Sequence, residues 1–175
     1  ALNGRKAFVV NAEAADLLIV SARESGAVND EGGISLFLVP AGTKGVTIQG
    51  YPLLAGGRAA EVMLENVSLP ATARLGASGK SFAAIETAVA ASNVALCAET
   101  LGAMETATRL TREYLMTRKQ FGRPIGTFQA LAHRMSDLLI EMEQARSAVI
   151  NAAGHLESDR RIREHHVSAA KNLMG

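Results

Sequence analysis

The chain has 175 residues, 48% hydrophobic and 20% charged, an ordinary globular composition with enough length for a sizeable core or two small domains, which argues against disorder. Lys and Arg number 18 against 17 Asp and Glu, so the formal charge of +1 gives no global field to recruit nucleic acid or an anionic membrane surface. Any anion site must be local. The one cysteine, Cys97 in the apolar run NVALCAET, excludes a disulfide framework, suits a reducing cytoplasm and reads as a buried thiol. No apolar stretch is expected to reach membrane-spanning length, and the first residues, ALNGRKAFVV, lack the parts of a signal peptide. Both ends fall within structured sequence, so the chain is expected to be a fragment.

From Leu2 to about Leu75 the sequence favours short β-rich runs, KAFVVN, DLLIVSAR, ISLFLVP, GVTIQGY and AEVMLENVSLP, separated by Gly, Pro, Asn and Asp clusters. An antiparallel, barrel-like β-domain over residues 1–76 follows, the first part of an α+β chain. In ISLFLVP, Ile34, Leu36 and Leu38 point to one face and Ser35, Phe37 and Val39 to the other, so both faces meet apolar neighbours. RESGAVNDEGG reads as a solvated hairpin loop.

After Gly76 the pattern becomes helical, and residues 77–175 form the second domain. A long helix is expected from Ser81 to about Lys119, rich in Ala, Leu, Met and Glu. In the next run Phe128, Leu131, Met135, Leu138, Met142, Ala145, Val149 and Ala153 recur by threes and fours as one apolar stripe, with Thr127 as the expected N-cap. A third helix begins in RRIREHHVSAAKNLMG. Even stripes of this kind suit an antiparallel bundle that packs against copies of itself.

Between the two long helices lies TRKQFGRPIGTFQ, residues 117–129. A helix turn needs only a glycine to end the first helix and a small polar residue to begin the second. Taken singly, Arg118 and Lys119 suit a helix C-terminus with no ligand at all. Gln120 and Phe121 before Gly122 add an amide and an aromatic face, the groups that grip a dinucleotide: Arg bidentate on a pyrophosphate, a ring over an adenine, Gln on phosphate or sugar oxygens. Gln129 could add another bond. The alternative for Phe121 and Phe128 is a hydrophobic clamp between the helices, which spacing leaves open.

EYLMTRKQFGRPIGTFQALAHRMSDLLIEMEQARS resembles the helix, turn and helix of the acyl-CoA dehydrogenase family, and LNGRKAFVVNAEAADLLIVSAR, ISLFLVP, GVTIQGY to VSLP and RLG are similar to its middle β-domain in order. ALCAETLGAMETATRLTREYL with RKQFGRPIGTFQAL is most similar to bacterial enzymes typified by the pimeloyl-CoA dehydrogenase small subunit. The resemblance implies FAD, α,β-dehydrogenation of an acyl-CoA thioester, reoxidation by an electron-transfer flavoprotein and a homo- or hetero-oligomer built as a dimer of dimers. It implies that Arg118, Gln120, Phe121 and Gln129 serve the adenine and pyrophosphate portion of a neighbouring subunit's FAD.

By the same resemblance Phe8, Val9 and Val10 lie beside the isoalloxazine ring; apolar composition alone would place them in the strand core. Val10 stands where the family commonly has a hydroxyl, so no side-chain bond to flavin N5 is available there. No catalytic base is assigned: Ser92 matches one family position for it and is not a carboxylate, Glu86 and Glu99 are expected to be solvated, and Ala90 and Asn93 replace an Asp and an Arg common near CoA. His165 and His166 are adjacent, and His133 and His155 stand alone, so capping or solvated histidines are expected rather than a metal site. DRRIREHH is expected to be a solvated helix face, not a nucleic-acid patch. The readings are thus an FAD enzyme, a non-catalytic partner subunit lending Arg118 and Phe121 to a companion, and a helical oligomerisation module.

Overall fold

The computed structural model describes residues 1–175 and divides into two compact units, Ala1–Ile85 and Glu86–Gly175. In the first, β1 (Leu2–Val10), β2 (Leu17–Arg23), β3 (Ile34–Pro40), β4 (Val46–Pro52), β5 (Arg58–Val67) and β6 (Arg74–Leu75) form two antiparallel sheets, in the orders β1-β5-β4 and β2-β3-β6. Leu18 and Val20 of β2 and Val39 of β3 share one core with Ala60, Val62, Leu64 and Val67 of β5. The barrel-like domain expected from the sequence therefore takes the form of two sheets facing across a single apolar layer. Strand β6, two residues long, is too short to show a period.

On β3 the inner face buries Ser35 and Val39, while Ile34, Leu36 and Leu38 on the outer face are half-buried, so both faces are covered as expected. A buried hydroxyl needs partners. Ser35 Oγ donates to Glu24 Oε2 at 2.8 Å and accepts from the Gly79 N–H at 2.7 Å. Hydrogen bonds from Ser78 and then Ser35, with Arg74 nearby, hold the Glu24 carboxyl below the usual carboxylate range. The hairpin loop before β3 is exposed, and Arg23 ties it by donating to the carbonyls of Val28 (3.0 Å), Asp30 (2.8 Å) and Gly32 (2.9 Å).

The helices are α1 (Phe82–Thr117), α2 (Gln129–Gly154) and α3 (Arg160–Met174). Their core joins Ala90, Val94, Cys97 and Leu101 of α1 to Met142, Ala145, Val149 and Ala152 of α2 and Val167 and Ala170 of α3. The apolar stripe of α2 holds from Met142 to Val149, but Ala152 rather than Ala153 continues it inward. Ala152 lies seven residues beyond Ala145, as Val149 does beyond Met142, so the buried line keeps a strict repeat of seven that Ala153 would break. Arg146 reaches across to Glu105 on α1 at 2.6 Å, and Arg160 on α3 reaches Glu86 at 2.6 Å. Glu86 is only 15% exposed, which corrects the expectation that it is solvated.

Three other expectations are corrected here. By length and composition α1 is long and apolar enough to cross a membrane, because its first half is rich in alanine and carries few charges. The face of α3 is not wholly solvated: Arg163 is buried beside Val167 and Ala170, and its Nε has no hydrogen-bond partner. His155 does not stand alone, since its ring stacks on His166 at 3.9 Å between centroids, with His165 edge-on to His166 at 5.3 Å. His155 also ends α2, its N–H donating to the Asn151 carbonyl at 3.2 Å.

Met142→Ala removes a side chain shared by α1 and α2, and a loss of about 2–4 kcal/mol is expected, measurable by chemical denaturation. Burial, then the neighbouring His155 and His165, pushes the His166 imidazole below its ordinary value of 6.5. The unfolded chain therefore takes up the proton first, so stability is full above pH 6.5 and falls as pH drops below it toward the lowered folded value. Thermal midpoints between pH 7.5 and 5 should fall in the wild type and fall less in His166→Asn.

Candidate functional site

The segment after α1 is built to hold a short arm rigid. The Arg118 N–H donates to the Tyr114 carbonyl at 2.9 Å, and the Arg118 carbonyl accepts from the Ile125 N–H at 2.9 Å. Its backbone is thus clamped from both sides while its guanidinium lies exposed without a partner. Two short strands follow, β7 (Lys119–Gln120) and β8 (Arg123–Pro124), paired Lys119↔Pro124 and Gln120↔Arg123. Nothing in the sequence but Gly122 signals this hairpin, because two-residue strands carry no periodicity.

Phe121 and Gly122 form the two-residue loop, with φ of 52° and 79°. Positive φ at both central residues is what a type I′ turn requires, and Asn, Asp or Gly ordinarily fill the first place. A bulky residue there costs about 1–2 kcal/mol. Phe121 recovers little of that by burial, since it is 90% exposed. Strain of this kind persists only where the surrounding structure over-determines it, as the clamped hairpin backbone does here.

Phe128 behaves differently. Its ring lies 4.3 Å under the Arg123 guanidinium carbon and meets the Phe121 ring edge-on at 6.1 Å. It is half-buried and acts as the clamp, whereas Phe121 touches it only at one edge and leaves its faces open. Behind the hairpin Gly126 passes so close to α1 that a Cβ there would lie 3.0 Å from the Leu115 carbonyl oxygen.

Thr127 is not the N-cap of α2. It sits in a short 3-10 turn, Ile125–Thr127, and its hydroxyl donates to the Pro124 carbonyl at 2.7 Å. Helix α2 begins at Gln129 behind Phe128, with no side-chain cap and no acidic residue in its first turn. Gln129 is exposed there. No Asp or Glu occurs between Glu113 and Asp137, whereas Arg118, Lys119, Arg123 and Arg134 do. The hairpin and the free N–H groups of α2 therefore form a local positive site on a nearly neutral chain.

In the first unit, Val9 packs against the β-core, but Phe8 and Val10 are 60% and 58% exposed. The strand-core alternative thus fits only Val9. Phe8 has φ 56° at a register shift of β1 between Lys6 and Val9. The chain has four non-glycine residues at positive φ; Asn11 and Asn66 are ordinary occupants of that region, and the other two are Phe8 and Phe121.

No carboxylate on α1 is placed for acid–base chemistry. Ser92 Oγ donates to the Ala88 carbonyl at 2.8 Å, Ala90 is buried, Glu99 is exposed and Glu86 is held by Arg160. Three residues near Phe8 had no signal in the sequence: Arg5, Tyr51 and Glu61, which the sheet gathers from three strands.

Comparison with known proteins places the chain in the acyl-CoA dehydrogenase family: the model of its C-terminal domain matches residues 79–175 and that of its middle domain residues 1–67. A probable acyl-CoA dehydrogenase of Bacillus subtilis (strain 168), YngJ, is 33% identical over 155 residues, 87% of this chain and 41% of that relative. The solved butyryl-CoA dehydrogenase of Megasphaera elsdenii superposes with a TM-score of 0.86 at 29% identity, covering 99% of this chain and 45% of that one. PigA, solved with FAD and proline, gives a TM-score of 0.88 at 27% identity over 99% of this chain and 45% of its own. The chain spans about two fifths of the length of the curated relatives it matches.

Replacing Phe121 by Asn should relieve the turn. A thermal midpoint equal to or above that of the wild type is expected, corresponding to a gain of about 1 kcal/mol. A clear fall would mean that Phe121 is a structural clamp like Phe128.

Proposed function

We propose that this chain is the middle β-domain (1–76) and helical (77–175) part of an FAD-dependent acyl-CoA dehydrogenase. The observation that carries the reading is the strained, acid-free hairpin that displays Arg118, Gln120 and Phe121 beside the uncapped start of α2. Those groups fit a dinucleotide: the guanidinium and the helix N–H groups match a pyrophosphate, the open face of Phe121 an adenine, and the amides of Gln120 and Gln129 sugar and phosphate oxygens. PigA, with FAD in its structure, supports the choice of dinucleotide.

FAD held by Arg118, Gln120, Phe121 and Gln129 would supply an acceptor for the β-hydrogen of an acyl thioester as a hydride, a reaction that also needs a base for the α-proton. This chain's part is to bind and orient. Phe8 and Val10 present an exposed apolar edge for the ring system, and the hairpin holds the nucleotide tail, in the family manner across a dimer interface. A dimer of dimers, reoxidation by an electron-transfer flavoprotein and a cytoplasmic location complete the proposal.

Ser92, whose hydroxyl is already bonded to Ala88, favours a second reading in which the chain belongs to a non-catalytic subunit lending the hairpin to a companion's FAD. Arg118→Ala in the full-length protein should weaken FAD binding about 10–100-fold, as expected for a lost charge-assisted hydrogen bond, in a flavin fluorescence titration. Arg109→Ala, on the exposed face of α1, serves as the control. Unchanged affinity with an intact oligomer would remove the proposed role of the hairpin. Acyl-CoA-dependent flavin bleaching under anaerobic conditions separates the enzyme from the partner subunit.

A further inference from the structure

Strand β1 ends in a turn that is closed by a single residue of β5. Asn11, at φ 56°, follows Val10, and Ala12–Ala14 form a short 3-10 turn with no side-chain cap. Ala12 is 2% exposed and belongs to the β-core, so the turn folds over the end of the apolar layer rather than away from it. Arg58 holds it by both its main chain and its side chain. The Asn11 N–H donates to the Arg58 carbonyl at 3.1 Å, and the Arg58 guanidinium donates to both carboxylate oxygens of Glu13, from Nε at 2.5 Å and from Nη2 at 3.3 Å.

Glu13 is seated where the sheet leaves a gap. Gly50 of β4 pairs with Ala60 of β5, and Ala60 and Ile48 both pack in the β-core, so a side chain at position 50 would point inward as well. A Cβ built on Gly50 would fall on the Glu13 carboxyl group. The carboxylate thus takes the inward place that glycine leaves empty, and Arg58 grips it from the neighbouring strand. An exposed ion pair alone would hold little. Here the pair is joined to the Asn11–Arg58 main-chain bond and to a seat that fits one group, and the three together fix the turn. The hydrogen bond from Arg58, opposed by partial burial and aided by the Arg58 charge, holds the Glu13 carboxyl below the usual carboxylate range, so it is ionised at neutral pH.

We propose that Glu13, seated on Gly50 and gripped by Arg58, is a positioning residue that bolts the exit of β1 and so fixes how Val10 meets a planar aromatic ligand, the flavin ring on the functional reading given above. The inference rests on that reading for its ligand but not for the bolt itself. Val10 pairs with Ala59, so it is flanked by Asn11 on its own strand and by Arg58 on the next, and it is 58% exposed on a strand at the edge of the sheet. Its side chain offers no hydroxyl, so side-chain contact with a ring there is by shape, and it weakens as the strand end drifts.

The test uses the full-length protein as wild type, Glu13→Ala, Glu13→Gln, Gly50→Ala and Glu13→Ala/Gly50→Ala. Amide hydrogen exchange is read first without FAD. Glu13→Ala and Gly50→Ala should each speed exchange at Asn11 about tenfold, with Val62 and Leu64 unchanged, and Glu13→Gln, which still accepts from Arg58, should keep Asn11 slow. FAD titration then follows. Glu13→Ala and Gly50→Ala should each weaken binding several-fold and move the visible flavin band, Glu13→Gln should restore both, and the double variant should match Glu13→Ala, because the added methyl then enters room the carboxylate has left. Unchanged exchange at Asn11 in Glu13→Ala, or additive losses in the double variant, would overturn the bolt. Faster exchange at Asn11 with FAD affinity and flavin band unchanged would overturn the positioning role. Failure of the wild type to bind FAD would strike the functional reading instead, and the exchange comparison would still decide whether Glu13 holds the turn.

Discussion

A left-handed backbone at an exposed phenylalanine is the constraint on which this structure turns. L-residues with large side chains avoid that region, and burial ordinarily compensates when they enter it. Phe8 and Phe121 enter it while projecting into the open. Each is held by backbone contacts on both sides: the bulge of β1 against β5 for Phe8, and the Arg118–Ile125 closure with the β7–β8 pairing for Phe121. The two aromatic residues singled out for cofactor contact thus share a physical signature that ordinary core residues lack.

Much of this was legible in the sequence, and the failures have identifiable causes. The five longer strands, the three helices and the buried Cys97 follow from periodicity and composition. The hairpin at 119–124 does not, because a turn with Phe rather than Asn before Gly hides its type, and Thr127 has the chemistry of a cap but lies one residue before the observed cap position, Phe128. The stacking of His155 on His166 could not be read from two histidines eleven positions apart, since it depends on how the link between α2 and α3 folds back. Arg5, Tyr51 and Glu61 were equally invisible: the bulge that sets their register arises from strand pairing, not from any local pattern.

Neutral overall charge and a cationic hairpin also belong together. With no net field, selectivity for an anion must come from a short stretch emptied of acids, and residues 114–136 are such a stretch. Several cations elsewhere are answered: Arg146 by Glu105 and Glu143, Arg160 by Glu86, Arg5 by Glu61. The guanidinium of Arg118, inside that stretch, has no acidic partner.

The 36-residue span of α1 has a mechanical meaning of its own. At a rise of about 1.5 Å per residue it is a strut roughly 54 Å long, so a tilt of about one degree at its root swings its tip by about 1 Å. Millimetre-scale intuition about loops misleads here: the accuracy with which the tip meets a small molecule is decided far away, where side chains brace the strut's sides. Ion pairs at Glu86 and Glu105 are such braces, and residues remote from any ligand can thereby govern how well one is gripped.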